Sequence, residues 1–172
     1  MQTSLVLTVL SDDRPGLVNM ISEVLKEYEG NWTESRMIHL AGKFAGLLKV
    51  TAPESQVDLL VAALTGMQDD GIEITVEVVA DTSEGTTGET LVLEVLGQDS
   101  PGIVNAITQE LANLQVNVEE LISEQRSAPM SSETLFYAKI DMSLPEGLSA
   151  RDVQKALEAM PDQLMVDIQF GD

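Results

Sequence analysis

Leu5-Val-Leu-Thr-Val-Leu-Ser-Asp-Asp-Arg-Pro-Gly-Leu-Val-Asn-Met-Ile-Ser-Glu-Val-Leu25 returns 86 positions later as Leu91-Val-Leu-Glu-Val-Leu-Gly-Gln-Asp-Ser-Pro-Gly-Ile-Val-Asn-Ala-Ile-Thr-Gln-Glu-Leu111, with 12 of the 21 positions identical. A period of that length exceeds the ~20–50 residues of solenoid repeats. The repeating unit is therefore expected to be a whole small domain, and the 172 residues divide into two of them. The best-kept part, Asp13 to Asn19 against Asp99 to Asn105, joins a strand to a helix. A joint of that kind is a natural place for a small ligand.

Working outward, Leu5, Leu7 and Val9 alternate with Val6, Thr8 and Leu10, the pattern of a strand buried on at least one face. Pro15-Gly16 opens a helical pattern in which Leu17, Met20, Ile21, Val24 and Leu25 share one face. Proline suits a first helical turn because its missing N–H has no intrahelical partner there, and Ser100 is expected to cap the matching helix of the second copy. Trp32 to His39 and Lys43 to Val50 read as a hairpin turning near Ala41-Gly42. Pro53 to Met67 reads as a second helix, with Val57, Leu60, Val61 and Leu64 inward, and Ile72 to Val78 as a last strand.

Residues 90–170 repeat this β-α-β-β-α-β order, with strands at 90–97, 117–126, 133–142 and 164–170 and helices at 102–113 and 149–160. The offset of 86 holds through Asn31/Asn117 and Glu34/Glu120 and widens to 92 by Phe44/Phe136, so six residues are inserted near Arg126 to Ser132. Expected boundaries are 1–80 for the first domain, 81–89 for a polar, glycine-containing linker and 90–172 for the second. With right-handed crossovers, each unit becomes a four-stranded antiparallel sheet carrying both helices on one face. The fold class is α+β, two tandem ferredoxin-like domains. The other face, Val6-Thr8-Leu10 and Val92-Glu94-Leu96 in the first strands, is too apolar at its ends for full exposure and is expected to meet a domain.

Composition narrows the function. Nine Lys and Arg stand against 29 Asp and Glu, a net charge of −20, spread as 5 against 14 in residues 1–86 and 4 against 15 in residues 87–172. Such a field repels phosphate backbones, so direct nucleic-acid binding is not expected. The absence of cysteine removes disulfides, thiolate catalysis and cysteine zinc sites. No run of ~18 apolar residues could span a bilayer, and the N-terminus lacks a signal-peptide pattern, which makes a cytoplasmic location the expectation. No dinucleotide, P-loop, metalloprotease or nucleophile-elbow motif occurs. His39 is the sole histidine, and the pairs Asp12-Asp13, Asp69-Asp70 and Glu119-Glu120 read as surface charge, so neither metal nor cofactor is expected.

The repeated joint can still do chemistry. A helix N-terminus offers unpaired N–H groups and about +0.5 of a charge, and glycine lets a ligand approach the backbone, a seat for a carboxylate. Asp13 and Asp99 could pair with an ammonium, and Asn31 and Asn117, each opening a second strand, carry amides that can donate or accept. An anion seat beside a cation partner suits a zwitterionic amino acid. The same residues would also serve as plain helix starts.

These segments and the element order resemble ACT domains, the amino-acid-sensing regulatory modules, over nearly the whole chain. The resemblance is strong over 4–40 and 90–121 and weak over both second helices. It implies an amino acid, glycine or serine first among them, held between ACT units by the first loop of one and the asparagine of the other. Carried over by position, it nominates Ser11, Asp13, Arg14, Gly16 and Asn31 in the first copy and Gly97, Asp99, Gly102 and Asn117 in the second. Many ACT sites have an amide or imidazole where this chain has Asp13 and Asp99, and Arg14 faces Ser100 across the repeat, so the two sites are not equivalent. The resemblance further implies a non-enzymatic repressor-type regulator that acts on a transcriptional activator or other regulatory protein, its ACT units paired within a chain or across a homodimer. A scaffold that binds protein without a ligand is the alternative. Abundant carboxylates alone, without two groups placed about one pocket, do not suggest an enzyme.

Overall fold

The computed structural model describes residues 1–80 and 88–169. Residues 81–87 of the expected linker, and 170–172 at the end of the expected second domain, lie outside the described residues. The chain divides into two units.

In the first unit, β1 (Gln2–Asp12), α1 (Leu17–Glu27), β2 (Asn31–Leu40), β3 (Lys43–Pro53), α2 (Val57–Gly66) and β4 (Ile72–Val79) follow in order. The sheet order is β2-β3-β1-β4 with every pair antiparallel. The second unit repeats this with β5 (Thr90–Gln98), α3 (Ile103–Asn113), β6 (Asn117–Ser127), β7 (Thr134–Ser143), α4 (Ala150–Glu158) and β8 (Met165–Gln169), in sheet order β6-β7-β5-β8. The sequence patterns place all twelve expected strand and helix spans within a few residues except α2, which is shorter because single 3-10 turns occupy 54–56 and 67–70.

The alternation in β1 sends Leu5, Leu7 and Val9 under the helices, where they meet Ile21 and Leu25 of α1 and Leu60 and Leu64 of α2, all essentially without solvent contact. In the second unit Leu93, Val95 and Ile140 meet Ile107, Leu111, Val153 and Leu157 in the same way. Each such side chain contributes about 1.5–3 kcal/mol on burial, and these aliphatic layers hold both helices to one face of each sheet.

Two local expectations are corrected. Helices α1 and α3 begin at Leu17 and Ile103, and their N-caps are Gly16 and Gly102, with no side-chain cap. Gly16 has φ 90° and ψ 0°, Gly102 has φ 85° and ψ 5°, and the Ile103 N–H donates to the Ser100 carbonyl at 3.2 Å. Proline followed by a left-handed glycine is the signature of a type II turn. Pro-Gly is thus a turn ahead of the helix rather than part of its first turn, and Ser100 serves through its carbonyl rather than as the N-cap.

The hairpins show where the repeat diverges. Ala41 and Gly42, at φ 50° and 78°, form the two-residue turn between β2 and β3, as type I′ geometry requires. The insertion lengthens the matching connection to residues 128–133, closed by the Ala128 N–H on the Glu133 carbonyl at 3.0 Å.

Helix α4 carries the one full capping box among the described helices. Ser149 Oγ accepts from the Asp152 N–H at 3.2 Å, and the Asp152 carboxylate accepts from the Ser149 N–H at 2.9 Å. That backbone hydrogen bond, followed by the one with the Ser149 side chain, holds the Asp152 carboxyl below its ordinary 3.8. A depressed carboxylate stabilises the fold above the unfolded value and loses that contribution as pH falls through the folded value. Ser149→Ala should lower stability by about 1 kcal/mol in urea titration at pH 7. The wild-type advantage over Asp152→Asn should shrink as the pH of the titration is taken below about 4.

Candidate functional site

The site is built where β5 ends and α3 begins. Gln98 closes the strand, Asp99 to Gly102 make the turn, and Ile103 starts the helix. Beside it the hairpin of β6 and β7 brings up Gln125, paired with Phe136, which in turn pairs with Gly97. The result is a cleft of about 320 Å³ lined by Asp99, Ser100, Gly102, Ile103, Val104, Ser123, Glu124, Gln125 and Phe136.

Two hydrogen bonds fix the aspartate. Its N–H donates to the Thr134 carbonyl at 3.0 Å, and its Oδ2 accepts from Gln125 Nε2 at 2.7 Å. Across the cleft, α3 has no side-chain cap, so the N–H groups of its first turn have no intrahelical partner beyond the turn bond of Ile103. An oriented carboxylate and a positive helix end share one small space with an apolar wall from Phe136 and Ile103. Gly97, paired with Phe136, lies against Leu164, and a Cβ there would come within 2.6 Å of Leu164 Cδ2.

The first unit places its residues correspondingly. The Asp13 N–H donates to the Gly42 carbonyl at 2.9 Å, and Asp13 Oδ2 lies 3.5 Å from His39 Nε2. Ser11 is buried, its hydroxyl donating to the Asp12 carbonyl, at a recess of about 190 Å³ that it shares with Lys43 and Glu73. Lys43 binds the Asp12 carboxylate, which holds that carboxyl below its ordinary value and raises the lysine. Arg14 does not reach toward β2. Its guanidinium donates to the Asp70 carbonyl, tying the loop to the turn before β4, and Ser100 in the second unit is too short to do the same.

The nominated asparagines stand elsewhere. Asn31 pairs with Thr51 and Asn117 with Ser143, at the far end of each sheet from the aspartate loops. Eight residues of strand separate Asn117 from Gln125, roughly 25 Å at ~3.3 Å per residue. Within a unit the structure therefore brings together Asp13, Arg14 and Gly16, or Asp99 and Gly102 beside Gly97, but not the asparagine. Asn117 is engaged locally, its Nδ2 donating to Glu119 Oε1 at 3.0 Å, an oxygen that also accepts from Ser143 Oγ at 2.9 Å.

His39 and Gln125 were missed in the sequence, although they occupy the same position in the two copies at the offset of 86. The signal was the offset itself, which carried past Glu34/Glu120 would have paired them. Their partnership with the loop aspartate is tertiary and leaves no local motif. Among the described residues no group of three or more histidine, cysteine or carboxylate side chains could hold a metal, and no helix is long and apolar enough to cross a membrane.

Two sheets with helices on one face, each carrying an Asp-x-Pro-Gly turn at its first strand–helix joint, define a tandem pair of ACT domains, and the ACT-domain family model matches residues 3–77 and 89–171. The chain belongs to the ACT-domain family. It is similar to the glycine cleavage system transcriptional repressor of Escherichia coli K12, at 23% identity over 167 residues that cover 95% of this chain and 86% of that protein. A crystal structure of an unknown protein from Galdieria sulphuraria superposes with a TM-score of 0.84 at 30% identity, covering 98% of both chains. A protein assigned as a candidate glycine cleavage system transcriptional repressor superposes with a TM-score of 0.71 at 18% identity, covering 98% of this chain and 97% of that one.

An exposed hydrogen bond such as that of Arg14 contributes about 1 kcal/mol or less. Arg14→Ser should therefore speed amide exchange around Asp13 and Gly71 by about fivefold or less, leaving the Asp99 loop unchanged. Exchange measured residue by residue by NMR checks this.

Proposed function

We propose that this protein is a non-enzymatic regulatory sensor that binds a small amino acid at the β5–α3 joint and thereby changes its contact with a regulatory protein of transcription. The carrying observation is the cleft in which Asp99, oriented by Gln125, faces the uncapped start of α3. The ligand's ammonium pairs with the Asp99 carboxylate, its carboxylate takes free N–H groups of the first helical turn, and its α-carbon rests against Phe136. Glycine is the first candidate and serine the second, in line with the similarity to a protein named for the glycine cleavage system. Asn31 and Asn117 stand at the far end of their own sheets from this loop. A ligand alters partner contact only through its differential affinity for the two states, so the regulatory effect depends on the partner-bound and partner-free forms differing in their affinity at this cleft.

The partner carries positive charge where it meets this chain, since a net charge of −20 steers basic surfaces toward it. One observation favours the scaffold reading in its place. On the open face of the first sheet Leu10, Ile38 and Leu47 are 45%, 57% and 55% exposed, an apolar surface suited to protein contact without any ligand.

Calorimetry against the twenty amino acids separates the two. The sensor reading expects binding below millimolar for one or a few of them, and a loss of at least tenfold in Asp99→Ala. Binding by none, with partner capture indifferent to added amino acid, would leave the scaffold.

A further inference from the structure

We propose that the two copies are unequal by packing: the cleft of the second unit is open, whereas in the first unit the same place is filled by Met37, so that each chain seats one zwitterionic ligand, at Asp99. This rests on the amino-acid reading of the site for its ligand, and on packing alone for the inequality.

At the offset of 86, Met37 corresponds to Ser123 and His39 to Gln125. The paired residues of the third strands correspond as well, since Met37 pairs with Gly46 and Ser123 with Ala138. Ser123 is exposed and lines the cleft, while Met37 is half-buried and packs against the first core. The glycine opposite explains how the longer side chain fits. A Cβ on Gly46 would lie 2.8 Å from Met37 Cγ, 3.0 Å from Met37 Cα and 2.6 Å from the Arg36 carbonyl oxygen.

Gly46 is not among the glycines with positive φ. Close approach, and not backbone conformation, accounts for glycine there. Ala138 carries the methyl group that Gly46 lacks and is fully buried against a serine that leaves the space above it free. Large-with-small in one copy and small-with-medium in the other are two solutions to the same packing problem, and only the second leaves room for a guest. The anchoring of the aspartate follows suit, at 2.7 Å from Gln125 in the open unit and 3.5 Å from His39 in the filled one.

Two measurements on the full chain test this. Hydrogen peroxide oxidation followed by peptide mapping reads the packing without any ligand, and Met37 should oxidise severalfold more slowly than Met130 and Met165, which are 98% and 67% exposed. Equal rates would overturn the proposal. Calorimetry with glycine and with L-serine reads the seats: one equivalent per wild-type chain, at least tenfold weaker binding in Ser123→Met/Ala138→Gly, and a second equivalent in Met37→Ser. Should the double variant not fold, the gain in Met37→Ser decides alone. Two equivalents in the wild type, or no gain in Met37→Ser beside a wild type that binds, would overturn it. No heat with either amino acid while Met37 stays protected counts against the amino-acid reading and upholds the inequality of the two clefts.

Discussion

Side chains alternate along a β-strand, so one extra residue in β2 and one in β6 reverse the facing of everything beyond them. The pairing passes from Trp32/Val50 to Glu34/Lys49 in the first unit and from Val118/Met142 to Glu120/Asp141 in the second, leaving Thr33 and Glu119 as the bulged residues. Beyond the bulge, Met37 and His39 share a face with Phe44 and Ser11, and Ser123 and Gln125 with Phe136 and Gly97. That is the face the helices cover. Without the bulge the same strand would turn Ile38 and Glu124 toward the helix start and send Gln125 to the open side. Both bulges are held by side chains, Thr33 Oγ1 donating to the Lys49 carbonyl at 2.9 Å and Glu119 accepting from Asn117 and Ser143.

This gives the asparagine at the head of β6 a job in the fold, because its amide steadies the residue that sets the strand's phase. The asymmetry is that Thr33 anchors the first bulge with its own hydroxyl, which leaves Asn31 without the task that Asn117 performs through Glu119.

The fold was legible because its signals are local and repeated. Alternation in β1 and β5, helical periodicity from Leu17 and Ile103, and the Ala41-Gly42 turn each act within a few residues. The copy 86 residues on tests every reading of the first half against the second. The start of the helix was misread because Pro-Gly satisfies two rules at once. Proline is at home in a first helical turn and at the second position of a type II turn, and the left-handed Gly16 and Gly102 decide for the turn. The cleft was only half legible. Asp99 and Gly102 stand in a motif, but Gln125, Ser123 and Phe136 reach them through strand pairing, and no spacing along the chain announces that. Met37 and Gly46 show the same point from the other side, as a pair whose sizes make sense only once they are opposite one another.

Charge then limits what such a cleft can hold. With 29 acidic residues against nine basic ones, the surrounding field disfavours any anion, and the start of one helix supplies about +0.5 of a charge within its first turn. That is too little to retain a phosphate or a dicarboxylate against repulsion from Asp99, which lines the same space. A zwitterion meets the difficulty by carrying its own cation to the carboxylate while its anion meets the helix, so the molecule enters with no net charge to be repelled. Under the proposed sensor reading, the acidity that discourages nucleic acid and phosphate acts as selectivity at the cleft. The Asp99 charge is tolerable at this turn because Gln125 Nε2 already donates to it at 2.7 Å, and under the proposed reading a ligand's ammonium adds to that.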